Sequence, residues 1–262
     1  MKIALMDSGI GLLAAAAALR GLRPDADLVL SSDPASMPWG PRPEAEIVEL
    51  ALGCARAAAE LRPDALVVAC NTASVHALEA LRAALEPGIP VIGTVPAIKP
   101  AAAAGGSVAI WATPATTGSA YQRGLIREFG GSAAVTEVAC PGLADAVERG
   151  DAAAVEAAVA DAAARTPAGT SALVLGCTHY ELVAEVIRAA VGPTPRFFGS
   201  AEAVAAQALR RIASDTPVGA GRLTVLHAGV ETALPPAALG YEEGRLLLGG
   251  TRSEEAESLL PH

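Results

Sequence analysis

The chain has 262 residues, of which 52% are hydrophobic and 18% are charged, so it can bury a sizeable core and does not have the composition of a disordered chain. Its formal net charge is −9 and its Lys and Arg residues form no cluster, which argues against nucleic acid as a direct partner. The sequence also lacks the run of roughly 18 to 20 apolar residues that a spanning helix needs, so no membrane partner is expected.

The N-terminus and the cysteines bear on the compartment. A secretory signal has a positively charged segment followed by an apolar segment. The first predicted strand begins at Lys2 with neither segment before it, so a secretory signal is not expected. The cysteines Cys54, Cys70, Cys140 and Cys177 lie far apart and form no Cys-x-x-Cys pair, which favours reduced thiols over disulfides. No metal-ligand spacing stands out. We therefore expect a cytoplasmic enzyme without a metal.

Short β-rich runs alternate with helical stretches along the chain. The predicted strands are Ile3–Met6, Leu28–Ser31, Leu66–Ala69, Val91–Gly93, Val108–Trp111, Val135–Val138, Leu173–Leu175 and Arg196–Phe198. The helical spacing predicts helices at Glu44–Leu61, Ser74–Leu85, Gly118–Phe129, Asp151–Arg165 and Leu182–Val191. Continuous apolar strands separated by helices are typical of parallel sheets covered on both faces. The predicted fold class is therefore α/β, doubly wound, with mainly parallel sheets.

An internal echo indicates that the chain forms two similar lobes. The run IALMDSG from Ile3 resembles VAIWATP from Val108. The run LVVACNTAS from Leu66 resembles LVLGCTHYE from Leu173 at nearly the same offset. Two such lobes would face each other across a cleft at the carboxyl ends of their strands, where open parallel sheets usually bind ligands. We expect the active site in that cleft.

The lobe boundaries follow from breaks in this pattern. Pro96, Pro100, Gly105 and Gly106 interrupt the elements after the fourth strand, which indicates a boundary there. The tail contains one more strand candidate, Leu223–Leu226, which we expect to pack back on the first lobe. The prediction is a first lobe of residues 1–95 plus 207–262 and a second lobe of residues 96–206.

Cys70 and Cys177 occupy matching turns of the two lobes, each directly after a buried strand and before a helix. A single cysteine in such a place is usually a small core residue, and packing remains an alternative for each one. As a pair they favour chemistry that inverts a stereocentre, because one acid/base removes a proton from one face while the other delivers a proton to the opposite face. Thiols suit both roles, since acid/base catalysts work best with a pKa near the operating pH.

Polar side chains cluster at the same strand ends. Asp7 and Ser8 end the first strand, and Pro38, Trp39 and Gly40 form a turn after the second, for which a plain surface loop is the alternative. A hydroxyl-rich turn follows the strand at Val108–Trp111, and helix capping is the alternative for one or two of its residues, which are Thr113, Thr116, Thr117 and Ser119. His179 lies two residues after Cys177, close enough to tune that thiol, and Glu148 is an isolated carboxylate. Cys54 and Cys140 are interpreted as packing residues.

Over most of its length the sequence resembles the glutamate racemase family. The segments that carry the resemblance are DSGIG from Asp7, PWG at Pro38–Gly40, ACNTAS at Ala69–Ser74, PVIGTVPAIKPA at Pro90–Ala101, ATPATTGSAY at Ala112–Tyr121, ACPG before Val147-Glu148, and LVLGCTHY at Leu173–Tyr180. The resemblance implies two α/β lobes, no pyridoxal phosphate or metal, a homodimer, and the supply of D-glutamate for cell-wall peptidoglycan.

The resemblance also implies a role for each matching position. Cys70 and Cys177 would be the two proton donors and acceptors, assisted by Asp7 and His179, with Glu148 as a further helper. Residues near the side-chain carboxylate of the substrate would be Ser8, Trp39 and Gly40. Residues at its α-amino and α-carboxylate groups would be Asn71, Thr72, Thr117 and Thr178. Pro38, Thr113 and Thr116 complete the predicted substrate-binding residues.

The sequence departs from the family pattern at four places. Trp39 stands where the family has Tyr, Leu12 replaces the second glycine of a pair, Glu181 replaces Pro, and Gly199 replaces an acidic residue. Trp39 and Gly199 keep a rival open, a racemase of aspartate or of another acidic or modified amino acid. A second rival is a two-lobed protein that only binds a small carboxylate.

Overall fold

The structure of the protein, a computed structural model, describes residues 1–213 and 216–249. Its strands are β1 (Lys2–Asp7), β2 (Asp27–Ser32), β3 (Ala65–Val68), β4 (Val91–Gly93), β5 (Ser107–Ala112), β6 (Ala134–Ala139), β7 (Ala172–Leu175), β8 (Arg196–Phe198), β9 (Leu223–His227) and β10 (Val230–Thr232). Its α-helices are α1 (Leu13–Leu22), α2 (Glu44–Ala59), α3 (Asn71–His76), α4 (Leu78–Leu85), α5 (Ile98–Ala103), α6 (Ala120–Phe129), α7 (Leu143–Arg149), α8 (Ala152–Arg165), α9 (Thr178–Glu181), α10 (Ala184–Val191), α11 (Ala201–Arg211) and α12 (Glu242–Leu247). Short 3₁₀ helices span Ile10–Leu12, Pro34–Ser36 and Pro236–Gly240.

The strands form two separate sheets. The first has the order β10-β9-β2-β1-β3-β4 and is parallel except for β10, which runs antiparallel to β9. The second has the order β6-β5-β7-β8 and is parallel throughout. The central strands are buried on both faces, as the continuous apolar runs predicted. The predicted α/β fold of two similar lobes is confirmed.

The internal echo of the sequence corresponds to equivalent strands. β1 pairs with β3 in the first sheet, and β5 pairs with β7 in the second sheet, with the same parallel orientation. Ala69 separates Cys70 from the end of β3, and Gly176 separates Cys177 from the end of β7. The carboxyl ends of the paired strands therefore carry the two cysteines at equivalent places in the two lobes.

One hydrophobic core cluster extends through both lobes. It contains Leu5 and Leu30 from the first sheet together with Trp111 and Leu175 from the second, all at most 3% exposed. A close-packed core resists relative displacement of the elements it joins. It therefore fixes how the strand ends of one lobe face those of the other.

The tail of the chain returns to the first lobe, as the sequence predicted. β9 adds to the first sheet beside β2, with Leu30 opposite Val225. Helix α11 precedes this return and packs against α1. Because α11 spans Ala201–Arg211, the predicted boundary between residues 206 and 207 falls inside this helix. The division into residues 1–95 plus 207–262 and 96–206 stays a prediction, and its residues 214–215 and 250–262 lie outside the described part of the chain.

Several helices differ from the sequence prediction. The helix predicted at Ser74–Leu85 is divided at Ala77 into α3 and α4. Helices α1, α5, α7, α11 and α12 were not among the predicted helices. Within residues 1–213 and 216–249, none of the helices is both long and apolar enough to cross a membrane.

Asp27 attaches the returning tail to the start of β2. Its Oδ1 accepts hydrogen bonds from the backbone N–H groups of Ala220 (3.0 Å) and Arg222 (2.9 Å), and its Oδ2 accepts one from the Arg222 guanidinium (3.1 Å). Burial raises the pKa of Asp27, but these hydrogen bonds lower it more, so the net pKa lies below its usual value.

We expect Asp27→Ala to lower the free energy of unfolding by about 1–3 kcal/mol, because the two N–H groups lose their acceptor. Because the pKa of Asp27 is lowered by folding, this contribution is present above the unfolded-state pKa of about 3.9 and is lost as the pH falls through the folded-state pKa. Urea unfolding at neutral and acidic pH measures it. The control is Asp25→Ala, which removes a partly exposed pair with Arg23 but no acceptor of the tail's N–H groups, and should change stability less than Asp27→Ala. Equal effects of both variants would contradict the assignment.

Candidate active site

A cavity of about 230 Å³ lies between the lobes at the carboxyl ends of the strands. Its walls come from loops that follow β1, β2 and β3 in one lobe and β5, β6 and β7 in the other. The sequence-predicted residues that line it are Asp7, Ser8, Pro38, Trp39, Gly40, Cys70, Asn71, Thr72, Thr113, Thr116, Cys177, Thr178 and His179. The structure therefore brings residues as far apart in sequence as Asp7 and His179 to the lining of one cavity.

Cys177 lies at the N-terminus of α9 and is half-buried. Its Sγ is 3.9 Å from Nδ1 of His179, and Nε2 of His179 is 2.9 Å from Oε2 of Glu148. Burial lowers the pKa of His179, but Cys177 and Glu148 raise it more, so the net pKa lies well above its usual value. His179 thus places an imidazole nitrogen with a raised pKa beside the sulfur.

Glu148 lies outside the cavity lining and reaches the site through His179. Its Oε2 also accepts a hydrogen bond from the backbone N–H of Ile10 (2.8 Å), which belongs to the other lobe. Burial raises the pKa of Glu148, but the hydrogen bond with His179 and its charge lower it more, so the carboxylate is ionised at neutral pH. Because Glu148 is ionised, Nε2 of His179 carries the proton in this bond, and Nδ1 faces the sulfur.

Cys70 differs from Cys177 in both burial and charge. It is only 5% exposed, and burial together with the Asp7 carboxylate raises the pKa of its thiol well above the usual value. Asp7 is fully buried; its Oδ1 accepts a hydrogen bond from the Ser8 N–H (2.6 Å), and its Oδ2 accepts one from the Thr178 hydroxyl (2.9 Å). Burial raises the pKa of Asp7 despite these bonds and the His179 charge. In the free protein Cys70 is therefore a protonated thiol.

Asn71 links the two lobes and presents a free acceptor. Its Nδ2 donates a hydrogen bond to the carbonyl of Gly176 (3.1 Å), the residue before Cys177. Its Oδ1 is buried and has no hydrogen-bond partner in the structure. A buried amide oxygen without a donor is costly, so a ligand with a hydrogen-bond donor would be stabilised there.

Trp39 closes one side of the cavity with its indole ring. The ring is 2% exposed, and its Nε1 donates a hydrogen bond to Oγ of Ser36 (2.7 Å) within its own loop. The polar atom of this side chain is therefore used locally. At the neighbouring Gly40, an added Cβ would lie 3.0 Å from Cβ of Ala115, so loops of the two lobes meet closely here.

The hydroxyl-rich turn divides into lining and supporting residues. Thr113 and Thr116 line the cavity, and their hydroxyls are 3.2 Å apart. Thr117 does not line it, and its hydroxyl donates to the carbonyl of Thr113 (3.0 Å). Ser119 caps α6 by accepting the Gln122 N–H (3.1 Å), as the capping alternative predicted. The binding role of Thr117 stays a prediction.

The sequence interpretation missed one wall of the cavity. Additional lining residues are Met37, Pro41, Pro114, Ala115, Cys140, Pro141, Gly142, Ala144, Asp145 and Gly176. Cys140, interpreted as a packing residue, is 1% exposed but borders this space, and burial raises the pKa of its thiol to about 12. The position of the Cys-Pro-Gly turn at the carboxyl end of β6 was the signal that could have identified this wall.

In the part of the chain that the structure describes, no group of three or more His, Cys, Asp or Glu side chains is placed to hold a metal ion.

Comparison with known proteins identifies the class to which this fold and site belong. A family model for Asp/Glu/Hydantoin racemases matches residues 12–210. A glutamate racemase of Herpetosiphon aurantiacus is 37% identical over 220 residues, which cover 81% of this chain and 85% of that protein. The chain therefore belongs to the Asp/Glu/Hydantoin racemase family, and within it to the glutamate racemases. It is a cofactor-independent amino-acid racemase, an isomerase, and the resemblance seen in the sequence is confirmed.

Solved structures agree with this placement. Escherichia coli glutamate racemase in complex with L-glutamate and the activator UDP-MurNAc-Ala has a TM-score of 0.77 at 29% identity, with 95% of this chain and 94% of that chain covered. Glutamate racemase from Thermus thermophilus in complex with beta-chloro-D-alanine has a TM-score of 0.70 at 31% identity, with 95% and 93% covered. The match extends over both lobes.

We expect Gly11→Ala to lower kcat/KM by about 100-fold, because small displacements of catalytic groups have effects of that size. A Cβ at this position would overlap Oγ1 of Thr178 and lie 2.6 Å from Oδ2 of Asp7 and 2.7 Å from Nδ1 of His179. Steady-state kinetics measures the change. The control is Gly21→Ala, where an added Cβ has no atom within 4 Å and activity should be unchanged. Normal activity of Gly11→Ala would contradict this packing.

We expect iodoacetamide to alkylate Cys177 first near neutral pH, because this thiol is half-exposed and lies beside His179. Cys54 and Cys140 should react last, since burial raises the pKa of each to about 12. Mass spectrometry of peptides after timed labelling gives the order. His179→Asn should slow the labelling of Cys177 and leave Cys54 unchanged. Labelling of Cys54 as fast as that of Cys177 would contradict the prediction.

Proposed function

We propose that this protein interconverts L- and D-glutamate with Cys70 and Cys177 as the two acid/base groups. The observation that carries the proposal is the placement of two thiols, one from each lobe, on the lining of one cavity. Inversion at Cα needs a proton acceptor on one face and a proton donor on the other, and a thiol on each side supplies both. Membership of the glutamate racemases supports glutamate as the substrate.

The different surroundings of the two thiols support a starting state for the reaction. In one direction of the reaction Cys177, which lies beside His179, acts as the base, and buried Cys70 supplies the proton. The thiolate removes the proton from Cα and becomes a thiol. Cys70 then delivers its proton to the opposite face of the planar carbanion and becomes the thiolate. The reverse reaction exchanges the roles, so each cysteine serves one direction.

The lining supplies groups that match the charges of an amino acid. The free Oδ1 of Asn71 accepts a hydrogen bond from the α-ammonium group. The hydroxyl of Thr72 and the N–H groups of Thr72 and Thr178, each at the start of a helix, hold the α-carboxylate, while the Thr178 hydroxyl stays bonded to Asp7. Ser8 and the turn at Pro38–Gly40 receive the side-chain carboxylate. The α-ammonium group also stabilises each thiolate, which offsets the cost that burial places on Cys70.

The proposed reaction gives the protein a place in the cell. D-Glutamate is a component of bacterial peptidoglycan, so the product serves cell-wall synthesis and the maintenance of cell shape. We propose a cytoplasmic homodimer that acts without pyridoxal phosphate or metal, as the family pattern implies. The molecule that binds this site is the amino-acid substrate.

A racemase of aspartate or another acidic amino acid is the second candidate, and Trp39 is the observation that favours it. The ring lies on the cavity lining and replaces a tyrosine hydroxyl at the side-chain end. The same assay with L- and D-aspartate separates the two candidates. Faster turnover of aspartate than of glutamate would select the second.

Incubation of the protein with L-glutamate or D-glutamate in D₂O, without added cofactor, tests the proposal. We expect circular dichroism to show inversion in both directions. NMR should show deuterium at Cα of the product before it appears in the remaining substrate, because the donor thiol exchanges with solvent while the abstracted proton stays on the other face. Cys70→Ser and Cys177→Ser should each lower the rate of inversion by at least about 100-fold.

The conservative core change Cys54→Ser serves as the control and should retain activity, since Cys54 lies away from the cavity lining. No inversion and no Cα exchange with any acidic amino acid would contradict a racemase. Unchanged binding of glutamate by the inactive protein and both serine variants would then identify a carboxylate-binding protein.

A further inference from the structure

Two of the departures from the family pattern, Glu181 and Gly199, contact each other. Glu181 is the last residue of α9, and its Oε1 accepts hydrogen bonds from the N–H and the hydroxyl of Ser200 (2.8 Å each). Its Oε2 accepts the N–H of Ala201 (3.3 Å), the first residue of α11. The carboxylate therefore satisfies free N–H groups at the start of α11, where a helix favours negative charge.

Gly199 leaves the space that this carboxylate occupies. A Cβ at position 199 would overlap Oε2 of Glu181 and lie 2.8 Å from its carboxyl carbon. Its backbone is not left-handed, so the lack of a side chain, rather than an unusual φ, is the property that matters here. An acidic side chain at 199 would place its own carboxylate in the same space. One carboxylate occupies this space, supplied from position 181 in this chain.

The contact matters because α9 carries the groups beside the cavity. This helix has only four residues, begins after Cys177 and includes Thr178 and His179. Its first turn is held by the Thr178 hydroxyl on Asp7 and by His179 on Glu148. Glu181 holds its other end to α11, which packs on α1 in the first lobe. Three anchors from three different elements thus fix the orientation of one short helix.

We propose that Glu181 is a positioning residue for Cys177 and His179 and that it acts only together with a glycine at position 199. This inference deepens the proposed function and rests on it for its kinetic readout. Loss of the Glu181 anchor frees the end of α9, so the sulfur and the imidazole lose their alignment with the cavity. Neither Glu181 nor Gly199 lines that cavity, so direct contact with the substrate is not involved.

The test is a double-mutant cycle over the two positions. Glu181→Ala should lower kcat by about 10- to 100-fold, with KM changed by less than about threefold, because misaligned groups slow proton transfer more than binding. Gly199→Asp alone should also lower kcat, since two carboxylates compete for one space. The double variant Glu181→Ala/Gly199→Asp should recover to within about threefold of the original kcat, because one carboxylate again fills that space.

A second readout does not require turnover. The ratio of iodoacetamide labelling at Cys177 to that at Cys70, measured by mass spectrometry, should change in Glu181→Ala and return toward the original value in the double variant. A general loss of stability would not restore this ratio on adding a second substitution. If the original protein fails to racemise glutamate, the proposed function fails, and the labelling ratio still tests the position of α9.

Two further variants complete the experiment. Glu202→Ala removes a neighbouring exposed carboxylate in the first turn of α11 and should leave both readouts unchanged. Glu181→Gln keeps the side-chain shape, and therefore the fold, if Glu181→Ala does not give folded protein; it should lower kcat by about tenfold. Unchanged kcat and labelling in the Glu181 variants, or a double variant no better than Glu181→Ala, would overturn the proposal.

Discussion

The convergence of parallel strands at one edge of each sheet is the constraint on which the rest of this structure depends. A parallel strand ends at the same edge as its neighbours, so β1 and β3 bring Asp7 and Cys70 together, and β7 brings Cys177 to the equivalent edge of the second sheet. The shared core then fixes the two edges face to face. The chemistry of the site thus follows from strand direction and from the packing between the lobes.

Burial raises the pKa of the Cys70 thiol, and the two lobes place different groups beside their cysteines. Cys177 has the imidazole of His179 beside it, and Nε2 of that ring is hydrogen-bonded to Glu148. Cys70 has the Asp7 carboxylate as its neighbour, and this charge adds to the cost of a thiolate. Two similar turns therefore place their thiols in different electrostatic surroundings, with an imidazole beside Cys177 and a carboxylate beside Cys70.

The sequence predicted every strand of the described residues except the short, exposed β10, and it identified the pair of cysteines, because apolar runs and a repeated motif can be read from the sequence itself. Thr113 and Thr117 show where it was not. Both are hydroxyls of one turn, but only the structure reveals that Thr117 bonds back to the Thr113 carbonyl and does not line the cavity. Cys140 shows the opposite error, since it was interpreted as a core packing residue but lines the cavity. A buried cysteine has the same sequence pattern whether or not a cavity lies beside it. Which side of a buried residue faces a cavity depends on contacts distant in sequence.

The structure also narrows the question of substrate identity that the four departures raised. Glu181 and Gly199 contact each other at the start of α11, and Leu12 is buried in the core, so none of these three lines the cavity. These three departures therefore do not change the chemical groups that line the cavity. Trp39 alone among the four faces the cavity, and its N–H is already bonded to Ser36. It therefore contributes shape and apolar surface to the cavity, so Trp39 is the departure through which a difference in substrate preference would act directly on the lining.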